Sequence, residues 1–324
     1  MNKRERVMAV VRGGQPDHVP SGFWLHFPAG CEGGRASEDI HMDFFERTGT
    51  DLCKVMNENL LPRDTSIKTA ADWSRVKPFD RRAKHIRDQI DLVKRVTDRV
   101  AGEAVVLATI HGAAASISHV LGSGSLYDRD KLLQVRHLRE NPSGMRAAFE
   151  AVTEILQYLA EECIRSGADG IYYAALGGET YGYSREEFDG LIRPSDLAIM
   201  EAAKDRPCFN VLHICKDRID LSKYVGYPGE VVNWGVYSDN CSLEEGRRYF
   251  PGKVILGGLD DRAGVLVSGT LDEIEREVRG IIDGFGAQGF MLGADCTLPT
   301  EIDYARIRRA VGAAAEYGNR CGQS

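Results

Sequence analysis

Ala104-Val-Val-Leu-Ala-Thr-Ile110 and Lys253-Val-Ile-Leu-Gly-Gly258 are the stretches that decide the fold class. Each is a short apolar run with almost no polar alternation, as strands buried on both faces have. Working outward, further strands are predicted near Val19–Phe27, Asp51–Met56, Asp169–Ala174, Cys208–His213, Val231–Trp234 and Gly289–Gly293, with the two quoted runs covering Ala104–Ile110 and Lys253–Gly257. Helical periodicity fills His85–Val100, Asp128–Ser166, Ser184–Lys204, Leu271–Phe285 and Glu301–Tyr317. Ser184-Arg-Glu-Glu187 and Thr270-Leu-Asp-Glu273 are capping-box patterns that start two of these helices. Strands alternating with helices predict an α/β protein, a (β/α)8 TIM barrel, with a doubly wound sheet as the alternative. No repeat, low-complexity segment or Pro-rich linker marks a boundary, so residues 1–324 are read as one domain.

Composition narrows the function classes. A net charge of −7 argues against nucleic-acid binding through a basic face. No apolar stretch approaches the roughly 20 residues of a membrane span. Met1-Asn-Lys-Arg-Glu-Arg-Val-Met-Ala-Val10 reads as the first turns of an amphipathic helix, not as a signal peptide. The eight cysteines are scattered without tight spacing, which suits a reducing cytoplasm better than a disulfide framework. A cytoplasmic enzyme is the expected class.

His213-x-Cys215 ends one predicted strand and Cys296 ends another. Two thiols and an imidazole are a borderline-soft donor set that suits Zn²⁺, and three protein ligands leave a fourth position for water or substrate. No C-x-x-C knuckle is present, so the set points to a catalytic rather than a structural metal. Barrel active sites lie at the C-terminal ends of the strands, where the chain also places His26, Asn57, Glu58, His111, Tyr173, Asn233, Trp234, Asp260 and Asp295. His26, Asn57 and Trp234 are candidate cofactor- or substrate-binding groups; Glu58, His111, Tyr173 and Asp260 are candidate catalytic groups. Each has a plainer reading: strand-end histidines satisfied by backbone, ordinary loop carboxylates, and a tryptophan packed at a barrel rim. Tyr173 and Glu179 flank Gly177-Gly178, read either as a loop that closes over substrate or as a simple turn. Asp295 is a candidate resting fourth ligand. Cys31, Cys53, Cys163, Cys208, Cys241 and Cys321 are read as packing or surface residues.

Arg4-Glu-Arg-Val-Met-Ala-Val-Val-Arg-Gly-Gly-Gln-Pro-Asp-His-Val-Pro20 resembles the N-terminal segment of the uroporphyrinogen decarboxylase superfamily. Gly167-Ala-Asp-Gly-Ile171, Gly257-Gly-Leu-Asp260, Gly269-Thr-Leu-Asp-Glu-Ile274, Leu292-Gly-Ala-Asp-Cys-Thr-Leu-Pro299 and the closing Tyr317-Gly318 fit the same pattern. The resemblance spans essentially the whole chain and implies a (β/α)8 barrel. It departs from the true decarboxylases at two places. Their Arg-Gln-Ala-Gly-Arg segment, which grips propionates, corresponds here to Leu25-His-Phe-Pro-Ala-Gly-Cys-Glu32, and their Gly-His-Gly to Gly293-Ala-Asp-Cys296. A tetra-anionic porphyrinogen needs cationic recognition groups, so its decarboxylation is not the expected activity.

His213, Cys215 and Cys296 resemble, position by position, the metal ligands of the zinc-dependent corrinoid methyltransferase branch, the methylcobamide:coenzyme M type. That resemblance implies Zn²⁺, a thiol acceptor activated on it, and a methyl-corrinoid co-substrate. The donor is expected on a separate corrinoid protein, because no B₁₂-binding module is evident. Two thiolates and a neutral imidazole would leave the zinc site near zero net charge. Two other readings stand beside this one: a demethylating methyltransferase taking methyl from a methoxy or methylamine substrate to a corrinoid, and a binding protein that keeps the barrel without turnover.

Overall fold

The computed structural model describes residues 1–122, 132–238 and 241–321, the side chains of 317–321 excepted. The predicted helix start at Asp128 and the side chain of Cys321 lie outside the described residues. Eight strands form one sheet: β1 (Ser21–Gly22), β2 (Leu52–Val55), β3 (Val105–His111), β4 (Gly170–Ala175), β5 (Val211–Ile214), β6 (Val231–Trp234), β7 (Val254–Leu259) and β8 (Phe290–Ala294). All pairings are parallel, and their order runs β1, β8, β7 and so on down to β2. At the remaining seam the Asp51 N–H donates to Ser21 O at 2.9 Å. The Asp51 carboxylate also accepts from Ser21 N at 2.8 Å and Ser21 Oγ at 3.1 Å. The cyclic order with this seam makes a (β/α)8 barrel and excludes the doubly wound alternative.

The helices surround the barrel because each carries one apolar stripe. In Lys84–Val100 the buried positions Ile86, Gln89, Leu92, Val93, Val96 and Val100 recur at helical spacing and face the sheet. Two connections are short: Leu221–Tyr224 is a single 3₁₀ turn and Leu243–Arg247 a helix of five residues, which explains why no helix is legible there in the sequence.

The N-terminal segment seals the base. Arg4 makes two bonds to Asp169 at 2.7 and 2.6 Å, and the buried Arg6 reaches Asp51 at 2.6 Å and Asp17 at 2.6 Å. The Asp169 carboxylate also accepts from Val106 N, at the start of β3, at 2.9 Å. This part of the N-terminal motif is therefore structural.

The predicted first strand, Val19–Phe27, is reduced to two ladder residues. Pro20 lies inside the stretch and Pro28 follows it, and neither can donate a backbone hydrogen bond. Pairing with the eighth-strand side resumes only as a single bridge between Leu25 and Leu298.

Paired residues of parallel strands present their side chains to the same face. The register pairs His111 with Ala174, Ala174 with His213, and His213 with Asn233. These positions form one inward-facing layer near the top of β3 to β6. Lys54 pairs with Leu107, four residues before His111, and so also points inward.

Candidate metal centre

β5 carries the buried His213 into the barrel, and Cys215 follows just beyond the strand, its N–H donating to Ala175 O at 3.1 Å. The next residue, Lys216, sits at φ 91°, a region that favours glycine. A non-glycine residue held there beside a candidate ligand is the kind of local strain found at functional sites. Cys296 lies two residues past β8, on a chain anchored by the bond from Asp295 N to Leu259 O at 2.8 Å. The ligand atoms of His213, Cys215 and Cys296 all lie within 4.8 Å of one another. The two sulfurs are 3.6 Å apart, too far for a disulfide, and Cys296 Sγ is 3.5 Å from His213 Nε2.

Asn233 settles which imidazole nitrogen faces the sulfurs. Its amide nitrogen donates to Leu256 O at 2.8 Å and Ala294 O at 3.1 Å, so its oxygen must be the atom turned toward His213. That oxygen accepts from Tyr172 Oη at 3.1 Å and makes a short bond with His213 Nδ1. His213 therefore carries its proton on Nδ1 and presents the Nε2 lone pair to the two sulfurs. A ligating histidine held this way has a fixed tautomer and ring orientation, and the three donors fit Zn²⁺. The hydrogen bond between the thiols pushes Cys215 up and Cys296 down.

Lys54 approaches the same centre from β2. Its ammonium lies 4.0 Å from the Tyr172 ring centroid and 4.9 Å from that of Trp24, and it donates to Met56 Sδ at 3.2 Å. Burial lowers it to about 7, opposed by the neighbouring Cys296, Glu58 and Cys215. Trp24 packs on Tyr172 with centroids 4.9 Å apart, and Tyr172 in turn lies 5.4 Å from the His213 ring. These rings close the floor beneath the triad.

The other predicted residues divide into two groups. His111 faces the same interior, edge-on to His119 at 5.1 Å; burial holds His119 down at about 4 and His111 well below its ordinary value, so both rings are neutral at pH 7. His26 and Glu58 pair at 3.0 Å at the rim, where Glu58 also accepts from Phe27 N at 3.2 Å. The remaining side chains are engaged elsewhere. Tyr173 points away from the interior and donates to the buried Asp196 at 2.5 Å. Trp234 faces the helix layer, with Nε1 bonded to Cys241 O at 3.0 Å and its ring stacked against the backbone of Gly246. Asn57 accepts from Asn59 N at 3.0 Å, turning its own loop. Asp260 caps a loop by accepting from Arg262 N at 2.8 Å and Ala263 N at 3.1 Å. The Gly177-Gly178 turn is pinned rather than free: a Cβ on Gly178 would fall 2.4 Å from the Tyr224 ring, and Glu179 is bridged to Ile219.

Asp295 does not join the metal cluster: among the described residues, the group of His, Cys, Asp and Glu close enough to share an ion is His213, Cys215 and Cys296. Asp295 instead lines a cavity of about 300 Å³ beside the two cysteines, together with Asp261. Asn233, which the sequence places at a strand end, is brought into the site, while Tyr172, Lys54 and Asp261 are site residues that the sequence does not single out. Tyr172 lies two residues before Ala174, the pairing partner of His213, so the register that places it is set by the structure and is not legible in the sequence.

The model of the uroporphyrinogen decarboxylase family matches residues 45–317. No curated protein sequence matches the chain. Among solved structures, the chain is similar to a methyltransferase from Methanosarcina mazei, at TM-score 0.75 and 15% identity, covering 98% of this chain and 99% of that one. It is also similar to a B12-independent methionine synthase from Shewanella sp. W3-18-1 in complex with selenomethionine, at TM-score 0.60 and 13% identity, covering 94% and 98% of the two chains. At these identities the likeness is one of fold. With a family match running from before β2 to the last helix, the chain belongs to the uroporphyrinogen decarboxylase family.

Proposed function

We propose that the protein is a zinc-dependent methyltransferase that moves a methyl group between a corrinoid and a thiol or related acceptor. The observation that carries this reading is the convergence of His213 Nε2 and the sulfurs of Cys215 and Cys296 at the barrel mouth, with the imidazole tautomer fixed by Asn233. The fold shared with the Methanosarcina mazei methyltransferase supports it. Zn²⁺ held by these residues would keep an acceptor thiol, ordinarily of pKa about 8.5, as thiolate at neutral pH.

The chain's own residues supply orientation and exclusion. Asn233 and Tyr172 hold the His213 ring, and Trp24 with Tyr172 keeps water from the floor. Lys54 places a cationic group facing a site that becomes anionic when a third thiolate arrives. The transfer makes an S–C bond and breaks a C–Co bond, the electron pair staying with cobalt as cob(I)amide. The donor corrinoid is delivered by a partner protein to the open C-terminal face. Porphyrinogen decarboxylation is disfavoured, because the segment Leu25–Glu32 brings no arginine to the mouth.

Metal analysis followed by a methylcobalamin assay tests the proposal. Loss of the methyl–cobalt absorbance should require Zn²⁺, a thiol and Cys296 together. Methyl-corrinoid appearing from cob(I)alamin and a methoxy compound would reverse the assigned direction. A protein that takes up no zinc would overturn the reading.

A further inference from the structure

The cavity beside the triad has an unusual lining. Cys215, Cys296, Asp261 and Asp295 line it together, with Lys216, Asp217 and Arg262. Both inner carboxylates are buried: Asp295 is 1% exposed and Asp261 5%. Asp295 Oδ2 accepts from Tyr237 N at 2.7 Å, but Oδ1 is buried with no hydrogen-bond partner among the described residues. Asp261 meets Arg262 Nε at 3.0 Å, and that arginine is largely exposed. A carboxylate oxygen buried without a donor costs on the order of 1–3 kcal/mol, a cost that a ligand donating to it would remove. The cavity thus brings carboxylate hydrogen-bond acceptors to the same lining as the two sulfurs.

We infer that Asp261 and Asp295 form a subsite for an ammonium group carried by the ligand that reacts at the His213–Cys215–Cys296 centre. The ligand class is a small cationic amine: an aminothiol acceptor, with sulfur at the metal and nitrogen on the acids, or a methylated amine donor. This assignment rests on the proposed metal-dependent methyl transfer and narrows its substrate. It predicts selection against anionic thiols, which the two acids would repel.

The test uses the full chain loaded with Co²⁺, whose visible spectrum reports a thiol arriving at the metal. It is titrated with cysteamine, 2-mercaptoethanol, 3-mercaptopropionate and dimethylamine. Cysteamine should bind at least about tenfold more tightly than 3-mercaptopropionate, the ratio that one charge-assisted hydrogen bond supports. Asp295→Asn combined with Asp261→Asn should abolish that ratio and leave 2-mercaptoethanol affinity unchanged to within about twofold. Circular dichroism confirms that the variant is folded, and the single substitutions replace it if it is not. Equal affinities for the two charged thiols, or a preference that survives the substitutions, overturns the subsite and leaves thiol binding standing. No spectral response to any thiol removes the thiol-acceptor reading. In that case calorimetric binding of dimethylamine that is lost in the variant supports the subsite with the amine as donor, and absence of that binding overturns the subsite too.

Discussion

Replacing Asn233 by alanine is the sharpest probe of the centre, because this one side chain touches four partners without being a ligand. It is fully buried, accepts from His213 Nδ1 and Tyr172 Oη, and donates to Leu256 O and Ala294 O. Truncation leaves two buried donors, the imidazole N–H and the tyrosine O–H, without an acceptor. At about 1–3 kcal/mol each, the expected loss of stability is about 2–6 kcal/mol, with the two carbonyls adding to it. The second effect falls on the metal. Without the amide oxygen the imidazole can rotate or change tautomer, and zinc affinity should fall about 10–100-fold. Urea unfolding of the metal-free protein reads the first effect, and competition with a chromophoric chelator at fixed pH reads the second. Asn233→Asp separates the two: its carboxylate still accepts from His213 but faces two carbonyl oxygens, so stability should drop while zinc affinity is retained. A folded Asn233→Ala protein that binds zinc as tightly as the parent would refute the claim that this amide orients His213.

Cys296→Ser should reduce bound zinc well below one per chain while shifting metal-free unfolding by no more than about 1 kcal/mol, since the residue is only partly buried and a core this large does not depend on one metal; wholesale unfolding, seen by circular dichroism, would indicate a structural metal instead. Tyr172→Phe should weaken zinc binding by removing a donor to Asn233, whereas Tyr173→Phe should cost about 1–3 kcal/mol of stability through its bond to Asp196 and leave zinc affinity unchanged. Burial holds Lys54 at about 7 against an ordinary 10.5, so between those values the unfolded chain binds the extra proton. Its destabilising contribution to the metal-free protein is therefore full below pH 7 and is relieved as pH rises toward 10.5. Lys54→Met should flatten that rise, and an unchanged slope of stability against pH would count against a buried charge there.

The barrel is legible because Ala104–Ile110 and Lys253–Gly258 carry continuous apolar runs, and only a sheet covered on both faces requires them. The same property hides much of the site. A strand buried on both faces shows no polar alternation, so its sequence does not say which residues turn inward, and an error of one position reverses every side chain. Tyr173 is singled out in the sequence where Tyr172 faces His213, displaced by one residue, and of the pair Asn233-Trp234 at one predicted strand end only Asn233 faces it. Asp260 and Asp261 are adjacent for the same kind of ambiguity, the first spent on capping its loop and the second turned into the cavity. His213, Cys215 and Cys296 escape it because their chemistry is uncommon enough to be recognised without knowing the face. Lys54 is the opposite case, a common residue whose meaning comes entirely from being enclosed between two aromatic rings. Once the register is known, His213 calibrates its neighbours: counting by twos from it along the paired strands selects Asn233, Tyr172 and His111. A single inward-facing ligand, combined with strand pairing, is thus enough to recover most of the inner surface that surrounds it.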